Sequence, residues 1–146
     1  MDTYKSSSHA VYAIKLHIVL VTKYRRKILT DELLDYLETA FSEILSAWRC
    51  TLVEFGGESD HVHLLVEIHP ALNLSVLINN LKTATARRTR NRYADHLASF
   101  YSKPYFWHRA YFVSSVGTAS LETVKAYVQA QGTEEHTRKK NRKPSR

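Results

Sequence analysis

The stretch Asp60-His-Val-His-Leu-Leu-Val-Glu-Ile68 sets two imidazoles on one face of a predicted β-strand. Side chains alternate across a strand, so one face carries His61, His63, Leu65 and Glu67, and the other carries Val62, Leu64, Val66 and Ile68. The apolar row predicts a core on its side of the sheet. On the opposite side, the neutral ring nitrogens of His61 and His63 could chelate one divalent ion. Two such histidines alone are more often polar surface or satisfied core residues, so a metal site needs a third ligand.

The segments around this stretch predict four strands and two long helices. Strands are predicted at Val11 to Val21, Cys50 to Phe55, the histidine stretch, and Ala110 to Val116. One helix begins at a Thr30 cap and the other at an Asn73 cap, and each has an apolar stripe. Gly56-Gly57 is interpreted as the tight turn of a hairpin leading to the histidine strand. The order β-α-β-β-α-β predicts an α+β, ferredoxin-like antiparallel sheet with helices on one face.

A last helix is predicted from Ser120 to Gln131. Tyr127 and Gln131 are four residues apart, which places the phenol and the carboxamide on the same helical face. An amide oxygen can complete a metal shell, and a tyrosine held beside the metal could attack a phosphodiester. The alternative is structural: Tyr127 would be a half-buried packing residue and Gln131 a solvated helix end.

Composition predicts one domain with a polyanionic partner and says nothing about a reaction. The 146 residues suffice for one good core, and a formal charge of +7 favours a polyanionic partner. The single Cys50 excludes an intramolecular disulfide and suits a reducing cytosol. No apolar stretch approaches the roughly 20 residues of a membrane helix, and no signal-peptide pattern is present. We expect a cytoplasmic protein with no membrane partner.

Two basic clusters are predicted to contact nucleic acid. One follows the first strand and the other lies on the second helix: Lys23, Arg25 and Arg26, then Lys82, Arg87, Arg88 and Arg90. Such clusters are commonly just solvated surface, but like charges one turn apart cost stability unless an anion offsets them. The aromatic and basic segment 100–109 is expected to place some rings in the core and to stack others on unpaired bases.

The histidine strand, the basic helix, the later strand and the last helix with its tyrosine and glutamine occur together in this order. With them the chain resembles the small single-tyrosine HUH transposases (TnpA type) of prokaryotic insertion sequences. The resemblance spans nearly everything from Val11 to Gln131. It implies the ferredoxin-like fold with an added C-terminal helix that carries the tyrosine. By this resemblance Tyr127 is the nucleophile, and His61, His63 and Gln131 bind a divalent metal. The ligand types accommodate Mg²⁺, Mn²⁺ or other first-row ions.

The resemblance also implies the substrate and the assembly. The substrate would be single-stranded DNA with hairpin ends, cleaved to a 5′-phosphotyrosine and a free 3′-OH without a nucleotide cofactor. A homodimer would contain composite sites, in which the tyrosine helix of one subunit serves the histidine pair of the other. Residues 1–132 would form the single transposase domain, and 133–146 a basic tail that is disordered until it meets DNA.

Two other interpretations stay open. A related HUH nuclease, such as a repeat-associated transposase, a replication initiator or a relaxase, would keep the chemistry and change the biology. A noncatalytic RNA-binding module could share the sheet, the basic helix and the exposed aromatic residues. Such a module would have no reason to place Tyr127 and Gln131 opposite a histidine pair.

Overall fold

A computed structural model describes residues 5–6, 11–12, 14–115 and 126–130. The elements in chain order are β1 (Lys5–Ser6), β2 (Val11–Tyr12), β3 (Ile14–Thr22), α1 (Asp31–Ala47), β4 (Thr51–Glu58), β5 (His61–Ile68), α2 (Leu74–Arg92), α3 (Ala94–Ala98) and β6 (Trp107–Ser115). A single 3-10 turn at Lys23–Arg25 follows β3. Residues 126–130 are helical and are called the tyrosine helix below. Among the described helices, none is long and apolar enough to span a membrane.

Four strands form one antiparallel sheet in the order β4-β5-β3-β6. The first strand of the sheet therefore lies between the third and the fourth, as a ferredoxin-like βαββαβ chain requires. The predicted fold is confirmed. The short strands β1 and β2 form a separate two-stranded ribbon.

The hydrophobic core lies between one face of this sheet and helices α1 and α2. The alternate residues Ile18, Leu20, Val62, Leu64 and Val66 point from β3 and β5 into this core. Both predicted caps are present, because Thr30 Oγ1 accepts from the Leu33 amide and Asn73 Oδ1 accepts from the Val76 amide. The apolar row beside the histidines is thus buried, and the histidine row faces the other side of the sheet.

The predicted hairpin forms, but its turn is not at the glycines. β4 continues through Gly56 and Gly57 to Glu58, and Ser59-Asp60 makes the turn into β5. A β-carbon on either glycine would come within 2.7 Å of a β5 atom. The glycines therefore serve close approach between strands, which a sequence pattern does not distinguish from a turn.

Helix α1 ends in a Schellman motif that lacks glycine. The Cys50 amide donates to the Leu45 carbonyl and the Arg49 amide donates to the Ser46 carbonyl, each at 2.9 Å. Arg49 holds the left-handed position of this motif with φ of 59°. A β-carbon makes this conformation costly, so Arg49 is a point of local strain.

Several predictions fall outside the described residues. They concern the start of the last helix at Ser120, the proposed ligand Gln131, and the basic tail 133–146.

Candidate active site

The histidine pair lies on the sheet face opposite the two long helices. In the strand register, His61 pairs with Val21 and His63 pairs with Val19. The two imidazole centroids are 6.5 Å apart. The His61 side chain is 12% exposed, whereas His63 is open to solvent. Two adjacent imidazoles therefore share one accessible face, as the alternation predicts.

Asp60 orients His61 from the end of the hairpin turn. Its Oδ1 lies 2.9 Å from His61 Nδ1, and a proton donated by Nδ1 leaves Nε2 as the ring nitrogen that can bind a metal. The other carboxylate oxygen, Oδ2, lies 3.2 Å from Nε of Arg25. Burial raises the pKa of Asp60, but the hydrogen bond and electrostatic interaction with His61 and the positive charge of Arg25 outweigh it and lower the pKa overall. Asp60 is therefore held as a carboxylate.

His63 lies in a cradle made by Gly56. A β-carbon at Gly56 would lie 2.6 Å from both Cε1 and Nε2 of the imidazole, closer than real contacts allow. The missing side chain is what lets the ring lie flat against β4. Only glycine at this position is compatible with this ring position.

The surroundings of His63 favour its neutral form. Desolvation lowers its pKa most, and the nearby His61 and His17 lower it further, against the opposing effect of Glu54 and Glu58. Imidazole binds metal only when neutral. The lowered pKa therefore favours the form of His63 that can bind a metal.

The tyrosine helix packs on this same face of the sheet. Val128 is buried in a cluster with Val19 and Val21, the two residues that pair with the histidines. The Tyr127 ring packs on Phe112 of β6, with 5.4 Å between ring centroids. The helix lies against the sheet of its own chain, so the exchange of helices between subunits stays a prediction.

The residues present fit a divalent metal in part. His61 has an oriented imidazole and His63 a fitted cradle, and both are nitrogen ligands that first-row ions accept. Within the described part of the chain, no cluster of three or more His, Cys, Asp and Glu side chains could hold a metal. A third protein ligand must then be another residue type or lie outside those residues, as Gln131 does.

Three of the basic residues predicted to bind DNA are engaged within the protein. Arg25 pairs with Asp60, and Arg88 pairs with Glu43 of α1 at 2.9 Å. The Lys82 ammonium donates to the Arg109 carbonyl at 2.5 Å and lies 5.5 Å above the Tyr111 ring. Burial lowers the pKa of Lys82, and the charge of Arg109 lowers it further.

The other four predicted residues face outward or lie over aromatic rings. The Lys23 ammonium lies 5.0 Å from the Tyr24 ring centroid and 5.2 Å from that of Tyr105. Arg26 and Arg87 are exposed and Arg90 is half-buried. Arg26 and Arg87 are therefore the most exposed of the seven basic residues predicted to bind DNA.

The aromatic segment contributes mostly to the core. Tyr101, Phe106 and Trp107 are buried, and the Trp107 indole donates to Thr85 Oγ1 at 3.0 Å. Phe100 and Tyr105 are partly buried against the same core. Tyr105 is the ring of this segment that lies beside a cation at the surface. Most rings of this segment are thus in or against the core, and Tyr105 is left as the candidate for stacking on a base.

Sequence reasoning missed the polar network that joins these parts. Asp60 belongs to the histidine stretch, but its contact with Arg25 depends on a loop in which Tyr24 and Arg25 have φ of 57° and 54°. Left-handed backbone at two consecutive non-glycine residues has no local sequence signal. An acid directly before a histidine was the one available hint, since ligand histidines commonly have carboxylate partners.

A family described as "Transposase IS200 like" matches residues 10–131. The transposases of insertion sequence IS200 from Salmonella typhimurium and Salmonella typhi are each 28% identical over 131 residues, covering 90% of this chain and 85% of theirs.

Two solved structures have the same fold. A proposed transposase from Deinococcus radiodurans R1 matches with a TM-score of 0.80 and 28% identity, covering 87% of this chain and 97% of that one. A REP-associated tyrosine transposase bound to a REP hairpin matches with a TM-score of 0.52 and 8% identity, covering 87% of this chain and 69% of that one. The second likeness concerns the fold alone. From the match over residues 10–131, which takes in the histidine pair and the tyrosine helix, the chain belongs to the IS200-like transposase family.

Proposed function

We propose that this transposase cleaves and rejoins single-stranded DNA at the ends of its element through a covalent bond to Tyr127. The observation that carries the proposal is the docking of the tyrosine helix on the histidine face. Val128 covers Val19 and Val21, which pair with His63 and His61. Adjacent strands are about 4.8 Å apart, so Val128 lies one strand away from the two imidazoles. The Tyr127 ring packs on Phe112 of β6, on the other side of β3 from the histidine strand.

Cleavage and rejoining are each one exchange of phosphate ester bonds. The Tyr127 oxygen forms a bond to the scissile phosphorus and loses its proton, while the bond to the 3′ oxygen breaks and that oxygen takes up a proton. The 5′-phosphotyrosine conserves the ester linkage, so a later 3′-OH can attack it and release the tyrosine. No nucleotide cofactor is required for either step.

We propose His61, His63 and Gln131 as the holders of a divalent ion, Mg²⁺ or Mn²⁺. When bound, such an ion withdraws charge from the phosphate and favours the phenolate of the nucleophile. The protein's own part is to orient the ligands. Asp60 fixes the His61 ring through Nδ1, and Gly56 leaves room for the His63 ring.

We propose that the outward basic residues bind the DNA ends. Lys23, Arg26, Arg87 and Arg90 offer charge for phosphates, and the Tyr24 and Tyr105 rings beside Lys23 offer stacking surfaces for unpaired bases. The REP-associated relative with this fold is bound to a hairpin, which supports hairpin ends as the substrate. We also propose that the protein is a homodimer, as the family resemblance implies. Membership of a transposase family leaves the RNA-binding alternative without support.

The experiment that tests the metal site substitutes each histidine singly. His61→Ala and His63→Ala should lose Mn²⁺ binding and cleavage without unfolding, because the core row of β5 points to the other face. Calorimetric Mn²⁺ titration and circular dichroism report the two properties separately. Unchanged metal affinity in both variants would make the pair structural and remove this part of the proposal.

A further inference from the structure

The Arg25 guanidinium joins two segments that are far apart in sequence. Its Nη1 donates to the Gln129 carbonyl of the tyrosine helix at 3.0 Å, and its Nε lies 3.2 Å from Asp60 Oδ2. The opposite oxygen of Asp60 lies 2.9 Å from His61 Nδ1. An unbroken polar chain therefore runs from the tyrosine helix through Arg25 and Asp60 to the His61 ring.

The backbone around Arg25 is built to hold this side chain. Buried Thr22 donates its hydroxyl to the Arg26 carbonyl at 2.6 Å and its amide to the Asp60 carbonyl at 3.0 Å. The Lys23 amide donates to the Phe106 carbonyl at 2.7 Å. Between these anchors, Tyr24 and Arg25 take left-handed φ values of 57° and 54°. Two strained residues in succession persist only where the surroundings over-determine them, and the result here is an Arg25 side chain aimed at Asp60 and Gln129.

We propose that Arg25 is a positioning residue that couples the docking of the tyrosine helix to the orientation of His61. This replaces the expectation from sequence that Arg25 contacts phosphate. A guanidinium can donate from Nε and Nη1 in different directions, whereas a lysine ammonium is a point charge that cannot span both partners in the same way. The link to catalysis rests on the proposed function; the link to helix docking does not.

The first test is hydrogen exchange at the amides of 126–130, without metal or DNA. Arg25→Met should exchange about tenfold faster there than the unsubstituted protein, because a charge-assisted hydrogen bond is lost. Arg25→Lys keeps the charge but cannot span both partners, so its amides at 126–130 should also exchange faster than those of the unsubstituted protein. Arg26→Met is the matched control: Arg26 is exposed and next in sequence, and should leave these amides as they are. Unchanged exchange in β3 and β5 verifies that each variant is folded.

The second test separates positioning from DNA contact by the salt dependence of binding to a single-stranded oligonucleotide. Arg26→Met should reduce the slope of log affinity against log salt by about 0.7 for one lost phosphate contact. Arg25→Met should keep the slope and the affinity but lower the single-turnover cleavage rate at saturating oligonucleotide.

The inference is overturned if Arg25→Met keeps the protection of 126–130, or if it reduces the salt slope as Arg26→Met does. The first result would show that Arg25 does not hold the tyrosine helix, and the second would return Arg25 to the phosphate-binding residues. Neither exchange nor affinity requires cleavage, so these readouts stand even if Tyr127 proves not to be the nucleophile.

Discussion

Gly56→Ala should weaken metal binding without removing a ligand or harming the fold. The added β-carbon would lie 2.6 Å from Cε1 and Nε2 of His63, and ordinary contacts begin at 3.4 Å, so the ring must move by about 1 Å. A side chain pushed about 30° from its rotamer costs roughly 0.5–1.5 kcal/mol. If metal binding must supply that energy to bring the displaced His63 ring back to its ligating position, the Mn²⁺ dissociation constant rises about 2- to 13-fold.

The fold itself should tolerate this change. The clash is with the far end of an exposed side chain, and alanine in a strand is more favourable than glycine by roughly 0.5–1 kcal/mol. Urea unfolding of Gly56→Ala should therefore give an unchanged or slightly larger free energy of unfolding.

Gly57→Ala is the matched control, since the same methyl is added one residue away on the core face. Its β-carbon would lie 2.7 Å from the His61 carbonyl oxygen and 3.0 Å from a Leu34 methyl. Backbone cannot rotate away, so this variant should lose about 1–3 kcal/mol of stability. The reasoning is refuted if folded Gly56→Ala binds Mn²⁺ with unchanged affinity, or if the two variants are equally destabilised.

Three further predictions concern residues outside the site. Arg49→Gly should raise the free energy of unfolding by about 0.5–1 kcal/mol, because glycine relieves the left-handed strain at the end of α1; a lower urea midpoint would contradict this. Burial raises the pKa of the Cys50 thiol, so its thiolate fraction at pH 8 is smaller in the native protein than in the unfolded chain. Iodoacetamide should therefore modify Cys50 much more slowly in the native protein than in urea. Equal rates would show an exposed thiol. Arg87→Ala should weaken single-stranded DNA binding and reduce the slope of log affinity against log salt. Arg88→Ala loses the exposed pair with Glu43, and it should leave that slope unchanged and alter the free energy of unfolding by no more than about 0.5 kcal/mol. Equal slopes in the two variants would remove the distinction between them.

The fold was predictable because its signals are local and repeated. Strand alternation in β5, and caps at Thr30 and Asn73, act over a few residues and agree with one another. The glycine pair shows the limit. Gly56-Gly57 has the composition of a turn, but its purpose is contact with a neighbouring strand, and that contact exists only once the register is set.

The site was predictable in its parts more than in their connections. Strand alternation placed His61 and His63 on one face. Helical spacing showed only that Tyr127 and Gln131 share one helical face, and the role of Tyr127 came from the family resemblance and stays a prediction. The roles of the basic residues were harder to predict, because charge pattern does not reveal partners supplied by other elements. Lys82, Arg88 and Arg25 are each held by groups between 27 and 104 residues away in sequence. Tertiary structure alone separates them from the outward-facing Arg87.

The central claim is that Tyr127 forms the covalent bond to DNA, and covalent capture tests it most directly. A labelled single-stranded oligonucleotide carrying the element's end is incubated with protein and Mn²⁺ and analysed on a denaturing gel. The unsubstituted protein should give a shifted, protease-sensitive adduct. Tyr127→Phe should give none while binding the oligonucleotide with nearly unchanged affinity, since the ring still packs on Phe112 and only the nucleophilic oxygen is lost. A persistent adduct in Tyr127→Phe would contradict the account.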